Sequence, residues 1–241
     1  MKYLKIILTS LFLSLIVTNT YAAKGAATVY KIIMTKLEMC DSTSTDSSCK
    51  NPVTIGIGES APIDIASTTA GASAASYGNL ALGNLGTTYT YFQITMKRAF
   101  TVKGTAKDGA GTTCITKEDG DSSTAAEGAA NGGTPAEVTL YAGFVGDSSD
   151  GLPLTMNSVA NASGGTPAAA GTIADDSEYF QYREKLDTAL TIKSGVIPTV
   201  KIAFGTSTAL EAIGNMGNCT QNIAAQVGFI AGEPDVSITF E

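Results

Sequence analysis

The chain has no histidine and no tryptophan, and only 15% of its 241 residues are charged. Each shortage removes chemistry. Without histidine there is no Ser-His-Asp or Cys-His nucleophile system, no histidine general base and no histidine-ligated metal hydrolase. Without tryptophan the strongest stacking side chain is missing, which weakens any carbohydrate platform. Lysine and arginine number 15 against 22 aspartates and glutamates, with no basic run, so a phosphate backbone finds no clustered cations. Neither nucleic acid nor an anionic membrane surface is an expected partner. The hydrophobic fraction of 44% is nevertheless enough for a real core, which leaves a surface dominated by Ser, Thr, Ala, Gly and Asn.

Long apolar runs are also scarce. The one present is Ile6 to Val17, broken only by Thr9, Ser10 and Ser14. It follows Lys2 and Lys5 and precedes a short polar stretch ending in small residues, with Thr20 and Ala22 at the −3 and −1 places of a cut. That order reads as a cleavable secretory signal over residues 1–22, and the run is too short to span a bilayer comfortably. No second stretch approaches transmembrane length, so the mature chain, residues 23–241, is expected not to insert in a membrane. Losing Lys2 and Lys5 makes the net charge of −7 more negative still. The expected location is secreted, periplasmic or cell-surface.

Export constrains the four cysteines, Cys40, Cys49, Cys114 and Cys219. An even count in an oxidising compartment reads as two disulfides. Of three pairings, Cys40–Cys49 and Cys114–Cys219 are favoured, because the first pair flanks a polar turn, Asp41 to Ser48, that a bridge would pin. Zinc is the competing reading, but it needs clustered ligands at short spacing.

Hydrophobic periodicity is two. From Thr88 to Lys103 the even positions run Phe92, Ile94, Met96, Arg98, Phe100, Val102, while the odd positions include Tyr89, Tyr91, Gln93, Thr95 and Lys97. One apolar and one polar face predict a half-buried strand or a bent pair of strands. Val29 to Cys40 carries apolar residues on both faces and is expected to be more central. Further strands are expected at Val53–Ile57, Glu137–Val145, Thr199–Phe204, Ile223–Ile230 and Val236–Phe240. Ser177 to Ile192 fits helical and strand spacing alike. It echoes the earlier segment: Tyr91-Phe-Gln93 lies ahead of Ala99-Phe-Thr-Val-Lys103, and Tyr179-Phe-Gln181 ahead of Ala189-Leu-Thr-Ile-Lys193. The gap differs by two residues, which keeps a strand's facing but would turn a helix by about 200°, so both are read as strands. Gly104 to Pro135 and Gly146 to Ser177 are Gly/Ala/Ser-rich and read as long loops. The expected architecture is an all-β antiparallel sandwich, immunoglobulin-like or a similar Greek key, in one domain or divided near 104–136.

Chemistry-bearing motifs are few. Ser47-Ser-Cys-Lys50 fits Ser-x-x-Lys but lies in the disulfide turn with no helix signal. Gly56-Ile-Gly58-Glu-Ser-Ala61 fits a relaxed dinucleotide pattern, yet Pro62 follows and no helix opens. Carboxylate-based glycoside hydrolysis needs no histidine, and Glu118, Asp119, Asp121, Asp147, Asp150, Asp175 and Asp176 are loop candidates for it. Asp147 with Asp150, and Asp119 with Asp121, are the weak calcium candidates, offering hard oxygens beside turn glycines. Tyr89 and Tyr91 share one strand face and are the ligand-binding candidates, their ordinary alternative being packing under a loop.

The C-terminus, Gly228 to Glu241, places Phe240 next to last and Gly228 about a strand-length earlier, with Val236, Ile238 and Phe240 alternating. This resembles the end of chaperone–usher fimbrial subunits. The resemblance implies β-augmentation by a neighbouring subunit's N-terminal strand, with Ala27 to Thr35 in that role. The chain departs from the family in the close spacing of Cys40 and Cys49. Low charge, abundant hydroxyls and missing catalytic side chains lead to the expectation of an exported, non-enzymatic surface or appendage protein. Its role would be structural or adhesive, with no cofactor, and self-association or other surface proteins would be its partners. A soluble extracytoplasmic binding module for carbohydrate or another small ligand is the alternative.

Overall fold

The computed structural model describes residues 23–67, 78–119, 129–142, 154–173, 177–196, 200–213, 219 and 228–240. Residues 1–22, where the sequence reads as a signal, lie outside them. In chain order the strands are β1 (Ala23–Ile32), β2 (Met34–Asp41), β3 (Val53–Ile57), β4 (Ile63–Asp64), β5 (Thr88–Lys97), β6 (Ala99–Lys107), β7 (Thr113–Thr116), β8 (Ala129–Asn131), β9 (Val138–Tyr141), β10 (Met156–Val159), β11 (Tyr179–Thr191), β12 (Val200–Gly205), β13 (Leu210–Ile213), β14 (Gly228–Ala231) and β15 (Asp235–Phe240). One 3-10 turn at Leu80–Leu82 is the only helical element among the described residues. No helix there is long and apolar enough to cross a membrane.

All pairings are antiparallel. The first sheet runs β14-β13-β1-β6-β7-β8, with β4 also on β1 and β9 on β6. The second runs β10-β11-β5-β2-β3, and β12 with β15 forms a two-stranded ribbon. Phe100 of β6 meets Phe180 of β11 edge-on at 5.7 Å between ring centroids and Tyr30 of β1 at 5.4 Å, so both large sheets feed one core. The ribbon joins it through Phe240, whose ring lies 6.2 Å from that of Phe92.

The alternation of Thr88 to Lys103 resolves into a bent pair. β5 belongs to the second sheet and β6 to the first, and the chain crosses at Arg98. Its guanidinium is buried and donates to the carbonyl oxygens of Ala142 (2.9 Å) and Ser177 (2.8 Å), which satisfies loop carbonyls at the crossing. Val29 to Cys40 is likewise two strands, broken at Ile33. Within Ser177 to Ile192, Tyr179–Thr191 is strand, as the two-residue offset implied.

Three expectations are corrected. The stretch Gly104 to Pro135, read as loop, contains the end of β6 and all of β7 and β8. The stretch Gly146 to Ser177 contains β10. These strands are only three or four residues long and built partly of Ala, Ser and Asn, so local composition hides them. The polar face of β5 is not solvated: Tyr89, Tyr91, Gln93 and Thr95 are all buried. Ala27 to Thr35 is not a free strand, because Ala27, Val29, Tyr30 and Lys31 pair with β6 of the same chain.

Between β1 and β6 the backbones approach unusually closely around two register shifts in β1. A Cβ added to Gly104 would lie 2.1 Å from the carbonyl oxygen of Ala26, and one on Gly25 would lie 2.1 Å from that of Thr105. Glycine is required here for lack of room. Gly104→Ala is expected to cost about 1–3 kcal/mol, the range for forced overpacking, read as a lowered urea midpoint.

Candidate functional site

The buried face of the second sheet carries two polar rows set by strand register. One row is Glu38 of β2, Gln93 of β5 and Arg183 of β11, each directly opposite the next. The other is Lys36, Thr95, Gln181 and Asn157, again in register across β2, β5, β11 and β10. Residues two apart in a strand share a face, so all seven point the same way. Two loops cover them. The disulfide turn 41–49 descends over one end, and the segment after β10 descends over the other, where Gly164 lies against Gln181, Thr95 and Lys36.

Arg183, 2% exposed, holds this layer together. Its Nε donates to the carbonyl of Asp46 (2.7 Å) and its Nη2 to that of Leu154 (2.9 Å). Its Nη1 donates to Gln93 Oε1 (3.1 Å) and Asn157 Oδ1 (2.5 Å). All four acceptors are neutral, and desolvation lowers the guanidinium's affinity for its proton while Asp46 works against that. Gln93 passes the network on, donating from Nε2 to Glu38 Oε2 at 2.9 Å. Glu38 Oε1 in turn meets Lys36 Nζ at 2.6 Å. Thr95 Oγ1 is buried in the same face without a hydrogen bond.

The tyrosines nominated for ligand contact belong to this interior. Tyr89 is fully buried, and its hydroxyl accepts from the backbone N–H of Asn84 (3.0 Å). Tyr91 is 7% exposed and donates to Asp46 Oδ1 (2.8 Å), so it packs under the disulfide turn. Burial and the Asp46 carboxylate both hold the Tyr91 hydroxyl above its usual range. Neither ring offers a stacking surface.

A second group sits on the opposite, core-side face of β11. The Tyr182 hydroxyl donates to Glu184 by a very short hydrogen bond and is within reach of Glu233. Burial first, then these carboxylates, push the hydroxyl far above its ordinary range, so it stays a donor. Tyr30, which also feels the Glu233 carboxylate, donates to the Gly232 carbonyl (2.8 Å). Burial raises the Glu184 carboxyl above the usual range; Tyr182 opposes this, while Glu233, Asp187 and Asp46 reinforce it. Folded Glu184 therefore binds its proton more tightly than unfolded Glu184. The stability that Glu184 contributes is expected to be fully present below the unfolded glutamate range, about 4.3, and to be lost as pH rises through the interval up to the raised value. Glu184→Gln should flatten that decline, measured as urea midpoints between about pH 4 and 8.

Both disulfides form as paired in the sequence: Cys40–Cys49 and Cys114–Cys219. They suggest an oxidising, extracytoplasmic compartment. Cys114 and Cys219 converge with buried Asp108, but an oxidised pair offers no thiolate. The Asp108 carboxylate caps its own turn, accepting from the backbone of Ala110 and Thr112. Of the calcium candidates, Asp119 accepts from the Thr139 N–H at 2.6 Å, while Asp121, Asp147 and Asp150 lie outside the described residues, as do Asp175 and Asp176. Glu118 is exposed. The carboxylates that do cluster, Glu184 and Glu233, were not singled out in the sequence. They stand on a strand and near the C-terminus, and only the fold brings them together.

No protein-family model, curated protein or solved structure matches the chain.

Proposed function

We propose that this is an exported, non-enzymatic protein of a cell surface or appendage, structural or adhesive in role, its two larger sheets packed as a β-sandwich. One observation carries the reading. The side chains with the most recognition potential, Arg183, Gln93, Asn157, Glu38 and Tyr91, are turned inward and bonded to one another or to loop backbone. A buried polar network that is satisfied rigidifies a fold and fixes one arrangement. Here it fastens two loops to a sheet, and one of those loops is also closed by a disulfide. That is the construction of a protein selected to keep its shape. Two disulfides suit secretion, a periplasm or a cell surface.

The alternative of a small-ligand module loses its nominated aromatic face, since Tyr89 and Tyr91 are both inside. Electron microscopy of the purified mature protein tests the structural reading. Regular filaments or sheets, alone or with extracts of the native envelope, are the expected result. A strictly monomeric species that binds glycans would sink it.

A further inference from the structure

We infer that the chain can crosslink itself: the Lys36 amine, the Glu38 carboxyl and the Gln93 carboxamide form a site for an intramolecular amide bond, made with loss of one ammonia. The inference is independent of the surface-protein reading and rests on four side chains in one line. Lys36 Nζ touches Glu38 Oε1 at 2.6 Å. The other oxygen of the same carboxylate accepts from Gln93 Nε2 at 2.9 Å. The carbonyl oxygen of that carboxamide accepts from Arg183 Nη1 at 3.1 Å. One carboxylate thus bridges an amine and a carboxamide, and a cation sits on the carboxamide oxygen.

Strand register makes the arrangement possible. Glu38 stands directly opposite Gln93, and Lys36 directly opposite Thr95, so Lys36 and Gln93 are diagonal neighbours on one face. A diagonal pair is about 7–8 Å apart at the backbone, within the span of a long side chain. The setting is dry: Glu38 is 3% exposed, Gln93 6% and the Lys36 side chain 17%. The surface pair Lys97–Glu59 differs, with Glu59 half exposed. Burial strengthens every electrostatic contact in the line and keeps out water, the competing nucleophile.

Each group has a role. Glu38 takes a proton from the Lys36 ammonium across their contact, leaving a neutral amine as nucleophile and a neutral carboxylic acid. The amine nitrogen attacks Gln93 Cδ and forms the new C–N bond, while the carbonyl electron pair moves onto Oε1. Arg183 holds that oxyanion, as preorganised donors do in acyl transfer. Glu38 gives its proton to Nε2 and removes one from the attacking nitrogen. The carbonyl re-forms, the Cδ–Nε2 bond breaks and ammonia leaves, taking the proton from Glu38 as it departs as ammonium. Glu38 is left as carboxylate, nothing is oxidised or reduced, and no co-reactant is needed. The product is an amide joining β2 to β5.

Mass spectrometry of the folded, purified protein tests this, with the disulfides then reduced and alkylated. The wild type is expected to run one ammonia lighter than its sequence. Digestion at sites other than lysine should yield a joined peptide containing Lys36 and Gln93. Lys36→Arg and Glu38→Gln are each expected to restore the full mass. A wild-type mass equal to the unmodified chain overturns the inference. So does a joined peptide linking Lys36 to Gln181, whose carboxamide shares the space beside Gly164 with the Lys36 stem. Retention of the ammonia loss in Glu38→Gln would overturn the role of Glu38, and the wild-type measurement needs no variant to fold.

Discussion

Replacing Cys114 and Cys219 together by alanine is expected to lower the free energy of unfolding by about 4–5 kcal/mol, much of the stability of a domain this size. The bridge spans a sequence separation of 105 residues, so in the chain-entropy account it removes a large loop-closure freedom from the unfolded state. The Cys40–Cys49 bridge spans only 9, and the same account gives it about 2–3 kcal/mol. The two double variants should therefore rank clearly in guanidinium unfolding, with the long bridge the costlier. Equal losses, or a larger loss for the short bridge, would mean that native-state contacts outweigh loop entropy. The short bridge has such contacts, because its turn supplies the Asp46 carbonyl and carboxylate to Arg183 and Tyr91. The long one fastens β7 to Cys219, and both sulfurs are buried.

The second large effect belongs to Arg183. Arg183→Met keeps an apolar stem of similar length but strands four acceptors, on Asp46, Leu154, Gln93 and Asn157, inside a covered face. Leaving buried acceptors unsatisfied costs about 1–3 kcal/mol apiece where they cannot reach water. Relaxation of the two loops will recover part of that, so a net loss of about 3–4 kcal/mol is expected. Arg183→Lys should restore little. An ammonium is a compact donor and cannot reach acceptors on three sides as the planar fork does. Hydrogen exchange should show the 41–49 turn and the segment after β10 losing protection together in both variants. Were Arg183→Met to unfold within about 1 kcal/mol of wild type, the polar layer would not be the brace described above.

Much of the fold was legible in the chain because the signal is local. A period of two marked β5 and β6, and the two-residue offset between echoing segments decided strand over helix at Ser177 to Ile192, where β11 lies. Val53–Ile57 was readable to its ends, bounded by Pro52 and Gly58. The disulfide pairing followed from a polar turn between Cys40 and Cys49 and from elimination. The short strands β7, β8 and β10 were not legible. Each is only three or four residues long, too short for a period to show, and they are strands because a neighbour offers them a ladder.

The polar layer was hidden for a related reason. Gln93 and Thr95 alternate with Phe92, Ile94 and Met96, and such a pattern states only that one face is apolar. It cannot say whether the other face meets water or a loop. In this protein the cover comes from Asp46, 47 residues before Gln93 in the chain, and from Leu154 and Gly164, far after it. Comparable or longer stretches of chain separate Glu184 from Glu233 and Gln93 from Arg183, and only the fold brings each pair together. By itself the sequence determined that the chain is built of strands, where the longer ones run and which way their alternate side chains face, and it favoured one of three cysteine pairings. These follow from backbone periodicity and covalent chemistry within a few residues. The tertiary structure alone decided that the polar face is interior and that Lys36, Glu38, Gln93 and Arg183 stand in line. Burial and contact depend on register and loop placement between segments that carry no mark of one another.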